Sequence, residues 1–204
     1  ADLTQRENWT FASELSFRDV VANTETKADL DFFGVPFFDC PYPKGSMTAP
    51  GRVSAPIGWL ESNVTQIVDP DHYWFDPQHR TYHMLARAHT GMTGFGCLLK
   101  VVEDAPGSGA MTTMLQNTPA GKKQMYVPTP GGQMRFHLLY DEPTRLYWLL
   151  STQAIDSMTR ADRLPDKRYG LPNNERRRLQ LHFSKFLLDW SCAGLVSLGR
   201  RDND

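Results

Sequence analysis

An internal repeat constrains this chain more than any other feature. The stretch Phe136 to Leu150, FHLLYDEPTRLYWLL, sets two apolar-aromatic runs on either side of Asp141, Glu142, Pro143, Thr144 and Arg145. Branched and aromatic side chains suit a pleated surface, and a polar, proline-containing break between two such runs predicts an antiparallel hairpin. Shifted by about 65 residues the pattern recurs: Phe75-Asp76 falls on Tyr140-Asp141, Arg80 on Arg145, Tyr82 on Tyr147 and Met84-Leu85 on Leu149-Leu150. A hairpin repeated at this spacing predicts a chain built from repeated sheets.

The flanking segments extend the repeat. Gly58 to Val68, GWLESNVTQIV, reads as a strand with Trp59, Glu61 and Asn63 on one side and Leu60, Ser62 and Val64 on the other. With the hairpin Tyr73 to Ala88 and the runs Phe95 to Val102 and Met111 to Leu115, it makes a four-stranded meander. Met134 to Tyr140, Leu146 to Thr152, Arg178 to Ser184 and Trp190 to Leu198 make a second. The N-terminal WTFASELSF, Trp9 to Phe17, shares Trp-(Ser/Thr)-x-Ala with WSCAGLVSL, Trp190 to Leu198, and reads as the last strand of a preceding unit.

Helical periodicity is almost absent, so the predicted class is all-β. Successive four-stranded antiparallel meanders are the blades of a β-propeller, and a two-sheet β-sandwich is the alternative. On the propeller reading the chain is one partial domain: 1–17 the last strand of a preceding blade, 18–57 a long loop, 58–116 a blade, 117–133 a connection and 134–199 a second blade. The long loop carries an aromatic cluster, Phe32 to Pro43, expected to lie over the body of the fold.

Composition narrows the function classes. The 204 residues hold 22 Lys+Arg against 23 Asp+Glu, a formal net charge of -1, so no overall field favours nucleic acid or an anionic membrane. The basic triplet Arg176-Arg177-Arg178 follows interleaved acidic residues and reads as a solvated loop edge. No apolar run is long enough to span a bilayer, and the N-terminus shows no basic stretch followed by an apolar core. Cys40, Cys97 and Cys192 are too scattered for a disulfide framework or a zinc site and are expected to be core thiols, with at most one bridge.

Ser184-Lys185-Phe186-Leu187-Leu188-Asp189-Trp190 resembles a degenerate sialidase Asp-box, the tight Ser-x-Asp-x-Gly-x-Thr-Trp turn between the third and fourth strands of a blade. Ser and Trp are kept, whereas the central Asp and Gly are missing. More widely, GWLESNV, PGGQMRFHLLYDEPTRLYWLLS and NERRRLQLHFSKFLLDWSCAGLV resemble the sialidase-like superfamily of exo-α-sialidases and BNR-repeat glycoside hydrolases, over most of Gly58 to Leu198. That resemblance implies a propeller of five or six blades, of which this chain supplies about two plus one strand. The rest of the ring is then expected from a longer chain or a partner chain. It also implies a glycan from which a terminal sugar is cleaved; no cofactor is expected, and the expected location is extracellular or periplasmic, with cytoplasmic as the alternative. The alternative is a non-catalytic propeller that binds carbohydrate or protein.

In a propeller, the starts of the innermost strands and the loops after the second strands converge on one channel mouth. This rule selects Trp59, Glu61 and Asn63, with Arg87 and His89, from one blade. From the next it selects Gln133, Arg135 and His137, with Gln153 and Asp156. Glycoside hydrolysis needs a proton donor and a second group across an oxocarbenium-like transition state. Glu61, in an otherwise apolar strand, is the expected acid, with a buried ion pair to arginine as its structural alternative; Asp156 or Asp39 is the expected second carboxylate. Sialidases hold the substrate carboxylate with three arginines, a part for which Arg87, Arg135 and Arg177 are the candidates, and Trp59 is the candidate sugar platform. No His/Asp cluster has metal-ligand spacing, so no metal is expected.

Overall fold

The computed structural model describes residues 2–9, 59–88, 95–124, 126–131, 135–153 and 177–200, the backbone of 30–31, 46–49 and 52–54, and the single positions 15 and 165. In chain order the strands are β1 (Leu30–Asp31), β2 (Ser46–Ala49), β3 (Arg52–Ser54), β4 (Trp59–Thr65), β5 (Thr81–Ala88), β6 (Phe95–Glu103) and β7 (Met111–Met114). They continue as β8 (Gln116–Asn117), β9 (Lys123–Gln124), β10 (Tyr126–Pro128), β11 (Phe136–Asp141), β12 (Leu146–Gln153), β13 (Arg178–Ser184) and β14 (Ser191–Leu198). The chain is all-β. Among the described residues there is no α-helix, only a 3₁₀ turn at Arg6–Asn8, and no helix long and apolar enough to cross a membrane.

Two antiparallel sheets form the body. In the first, β4, β5 and β6 run as a meander, and the fourth position is divided between two short strands: β7 pairs with the end of β6 and β10 with its start. In the second, β11, β12, β13 and β14 follow one another in simple meander order. A small sheet, β1-β9-β8, and the hairpin β2-β3 complete the ladders. The segment 117–133, expected to be a plain connection, therefore contributes β10 to the first sheet.

Alternation along the strands explains how the sheets meet. Phe136 and Leu138 of β11 and Tyr147 and Leu149 of β12 are buried at every second position and share a core with Leu85, Leu98 and Val127 of the first sheet and with Ile67 and Trp74 from the segment between β4 and β5. Burying a side chain such as Leu85 or Leu149 contributes about 1.5–3 kcal/mol. Two polar links fix the register of one sheet on the other. The Asn63 amide donates to Phe136 O at 3.1 Å and accepts from the Leu138 N–H at 3.1 Å. The Tyr147 hydroxyl, on a fully buried ring, donates to Gln66 O at 2.8 Å.

The repeat itself needs a correction. Tyr82 is half-exposed, with Thr81, His83 and Leu85 buried on the other face of β5, whereas its partner in the repeat, Tyr147, is fully buried. In β12 the buried positions are Tyr147, Leu149 and Ser151, so residues 65 apart fall on opposite faces of β5 and β12, although Thr81–Ala88 and Leu146–Gln153 match end to end at that offset. Tyr73 to Phe75 also lie in a series of turns rather than a strand. Asp76 organises that region: its carboxylate accepts from the N–H groups of Gln78 and Arg80 and from the Thr81 hydroxyl at 2.9–3.1 Å.

The Ser184–Trp190 turn does lie between the third and fourth strands of its sheet. Ser184 Oγ donates to Asp189 Oδ1 and accepts from the Phe186 N–H, both at 3.1 Å. Leu187 takes the left-handed conformation, φ 65°, while its side chain is buried in the core. Cys97 is buried and Cys192 exposed, so the latter is not the core thiol expected. Apart from Trp9 and residue 15, the segment Trp9 to Phe17 lies outside the described residues, as does Phe32 to Pro43.

Candidate functional site

The candidate site grows from a bulge. On β4, Leu60 pairs with Arg87 and Asn63 with Leu85, so one extra residue is inserted opposite β5. Glu61 takes the strain there, at φ 52°, a left-handed conformation that costs an L-residue about 1–2 kcal/mol. The bulge breaks the alternation of the strand and re-aims the Glu61 carboxylate.

That carboxylate joins the two sheets. Its Oε2 lies 3.3 Å from Nε of Arg87 on β5, and its Oε1 accepts from Nε of Arg135, just before β11, at 3.0 Å. Arg87 is largely buried and its Nε is not aligned for a hydrogen bond, so that contact is an ion pair alone. The Arg135 side chain is 74% exposed, where a single salt bridge contributes only about 0–1 kcal/mol. Each arginine approaches Glu61 through Nε, and among the described residues the terminal nitrogens of the two guanidinium groups make no further hydrogen bond or ion pair. By formal count, one carboxylate against two guanidinium groups gives the cluster one excess positive charge.

Three residues chosen from different parts of the chain, Glu61, Arg87 and Arg135, are thus brought together. The alternative noted for Glu61, pairing with arginine, is the arrangement found, with two partners; both of its oxygens are committed to guanidinium groups. Asn63 is placed beside them, but both of its amide atoms are used in holding β11. Trp59 turns its indole N–H inward toward the buried Cys97 thiol, whose pKa burial pushes well up and this contact draws back. Its side chain as a whole is half-buried.

Gln153 stays at the same end of the sheet, its amide donating to Ser151 Oγ at 3.2 Å. Arg177 precedes β13, the third strand, and its Nε donates to Gly199 O at 3.1 Å, so it does not join the cluster. His89, Gln133, Asp156 and Asp39 lie outside the described residues. No group of three or more His, Cys, Asp or Glu able to hold a metal occurs among the described residues.

His72, in the turns after β4, ties two segments together. Its Nδ1 accepts from the Trp74 N–H and its Nε2 donates to Phe186 O, both at 2.9 Å, and burial lowers its pKa. Asp71-His72-Tyr73 carries no periodic signal that would have disclosed this role. Comparison of the chain with protein-family models, with curated proteins and with solved structures returns no match.

Proposed function

We propose that this chain is part of a sialidase-like β-propeller that recognises the acidic terminal sugar of a glycan and cleaves it. The observation that carries recognition is the Arg87–Glu61–Arg135 cluster, in which one carboxylate holds two guanidinium groups whose terminal nitrogens have no partner among the described residues. A planar guanidinium matches a carboxylate through two parallel hydrogen bonds, so the cluster suits an acidic sugar better than a neutral one. Glu61 then serves as a positioning residue for the arginines, and the proton donor is sought elsewhere, with Asp156 the first candidate.

The propeller reading is supported by the placement of β4 and β11. Each is the first strand of its meander, each stands at the edge of its sheet, and the Asn63 amide holds them side by side. On this reading they are adjacent innermost strands, and the cluster sits at the channel mouth. The last strand, β14, exposes Leu195, Val196 and Leu198, an apolar edge that a further blade or a partner chain would cover. Cleavage rests on the resemblance alone.

The test is a panel of glycans ending in acidic or neutral sugars, assayed for binding and for release of the terminal residue. Acidic termini are expected to bind at least about tenfold more tightly, with the preference lost in Arg135→Ala. Equal retention of neutral and acidic glycans, or an unchanged preference in a folded Arg135→Ala variant, refutes the site. Binding without release removes the hydrolase reading and leaves the binding one.

A further inference from the structure

Ser184 pairs with Tyr147 at the Asp141–Leu146 end of the second sheet, whereas Arg135 precedes its other end. At the Ser184 end, away from Glu61, residues of the turns after β4 and of the Ser184–Trp190 turn line a groove of about 310 Å³. Its walls are Asp71, His72, Tyr73, Phe186, Leu188 and Asp189, and most of its surface is apolar. The volume lies at the lower end of the range for small-ligand pockets.

The polar groups of the groove have an unusual balance. Both His72 nitrogens are already used, one by Trp74 and one by Phe186. Asp189 receives the Ser184 hydroxyl on Oδ1. The Asp71 carboxylate has no hydrogen-bond or ion-pair partner among the described residues, and its backbone N–H is taken by Asp69 Oδ1. Carboxylate oxygens accept hydrogen bonds, so apart from the Tyr73 hydroxyl the uncommitted polar atoms on the lining side chains are acceptors.

Two cations adjoin the groove: Lys185 Nζ lies 3.3 Å from Asp69 Oδ2 and 4.7 Å from the centroid of the Phe186 ring, and Arg145 Nη2 lies 3.9 Å from the same Asp69 oxygen. The face of that ring thus already accommodates an ammonium group. A complementary ligand has a positive, donor-only head on an apolar stem, which describes arginine and lysine side chains. A neutral sugar presents acceptors as well as donors and finds little here to donate to it.

We propose that this groove takes the arginine or lysine side chain of a partner polypeptide. The site is independent of the glycan reading, and its failure leaves that reading untouched. The experiment titrates the whole chain with capped tripeptides, Gly-Arg-Gly and Gly-Lys-Gly, against Gly-norleucine-Gly and a neutral oligosaccharide, by calorimetry and by the NMR signals of the Tyr73 ring.

Saturable, salt-sensitive binding of a basic peptide is expected, weakened about five- to tenfold in Asp71→Asn and in Tyr73→Ala, with melting temperatures retained. The norleucine peptide and the oligosaccharide are expected not to bind. No saturation by either basic peptide up to about 20 mM overturns the proposal. So does equal binding of the norleucine peptide, preference for the oligosaccharide, or unchanged affinity in both folded variants.

Discussion

Replacing Asn63 with alanine tests how the two sheets are joined. The side chain makes two amide–backbone hydrogen bonds across the interface, each 3.1 Å long, one to Phe136 O and one from the Leu138 N–H. A hydrogen bond of this kind contributes about 0.5–1.5 kcal/mol net, and removing one partner leaves the other to be solvated or stranded. The expected loss for Asn63→Ala is therefore about 2 kcal/mol, read from urea denaturation as a lower midpoint at unchanged slope. Asn63→Asp keeps an acceptor for Leu138 but sets a carboxylate oxygen against the Phe136 carbonyl, so it should cost at least as much. Amide exchange at Leu138 supplies a local readout and should speed up about 30-fold if the loss is expressed there. A stability change below about 0.5 kcal/mol with unchanged exchange at Leu138 refutes the staple. Lost glycan affinity in such a variant would return Asn63 to substrate binding.

Gly131 sits at φ 68°, and a Cβ there would lie 1.9 Å from Thr152 O, so Gly131→Ala should destabilise by more than about 2 kcal/mol in thermal or urea melts and disturb the Thr152–Gln153 backbone. His83, fully buried and stacked on Trp74, donates to Gln116 Oε1 at 3.1 Å, and burial lowers its pKa from 6.5 to about 4. The unfolded chain then binds the extra proton between those values, so stability is full above pH 6.5 and declines as the pH falls toward 4, by about 3 kcal/mol. Urea melts across that window should show the decline, and a folded His83→Phe variant should show a shallower one. Leu187→Gly relieves a left-handed leucine but empties a buried position, so a net loss of about 2–3 kcal/mol is expected in denaturation; a gain would mean that strain outweighs packing.

Much of the second sheet was legible in the chain. The hairpin β11–β12 and the strand β13 follow from unbroken alternation bounded by polar turns, and β13 was expected at the residues where it occurs. The first sheet was less legible because its fourth position is shared by β7 and β10, which are only 4 and 3 residues long. Strands so short carry no periodic signal. The repeat matches β5 and β12 end to end but not face for face, because similarity of residue type does not reveal which face of a strand is buried.

The candidate site shows the same division. Glu61, Arg87 and Arg135 were selected as channel-mouth residues, and their convergence follows from pairing of β4 with β5 and packing of β4 on β11. That Asn63 would be used as a staple, or that Trp59 would turn inward, was not written in residue type, since an amide or an indole suits either role.

By itself, then, the sequence determined the all-β class, the meander order of the second sheet and the set of residues from which the cluster is drawn. Those properties depend on local alternation and turn chemistry, which a chain displays wherever it goes. Tertiary structure alone decided that Glu61 would pair with two arginines from separate strands, that Asn63 would bridge two sheets, and that Asp71 and Tyr73 would share a groove with Phe186 and Asp189. Each of these depends on which distant segments are pressed together, and pairing across sheets is set by the shape of the shared core rather than by any neighbour in the chain.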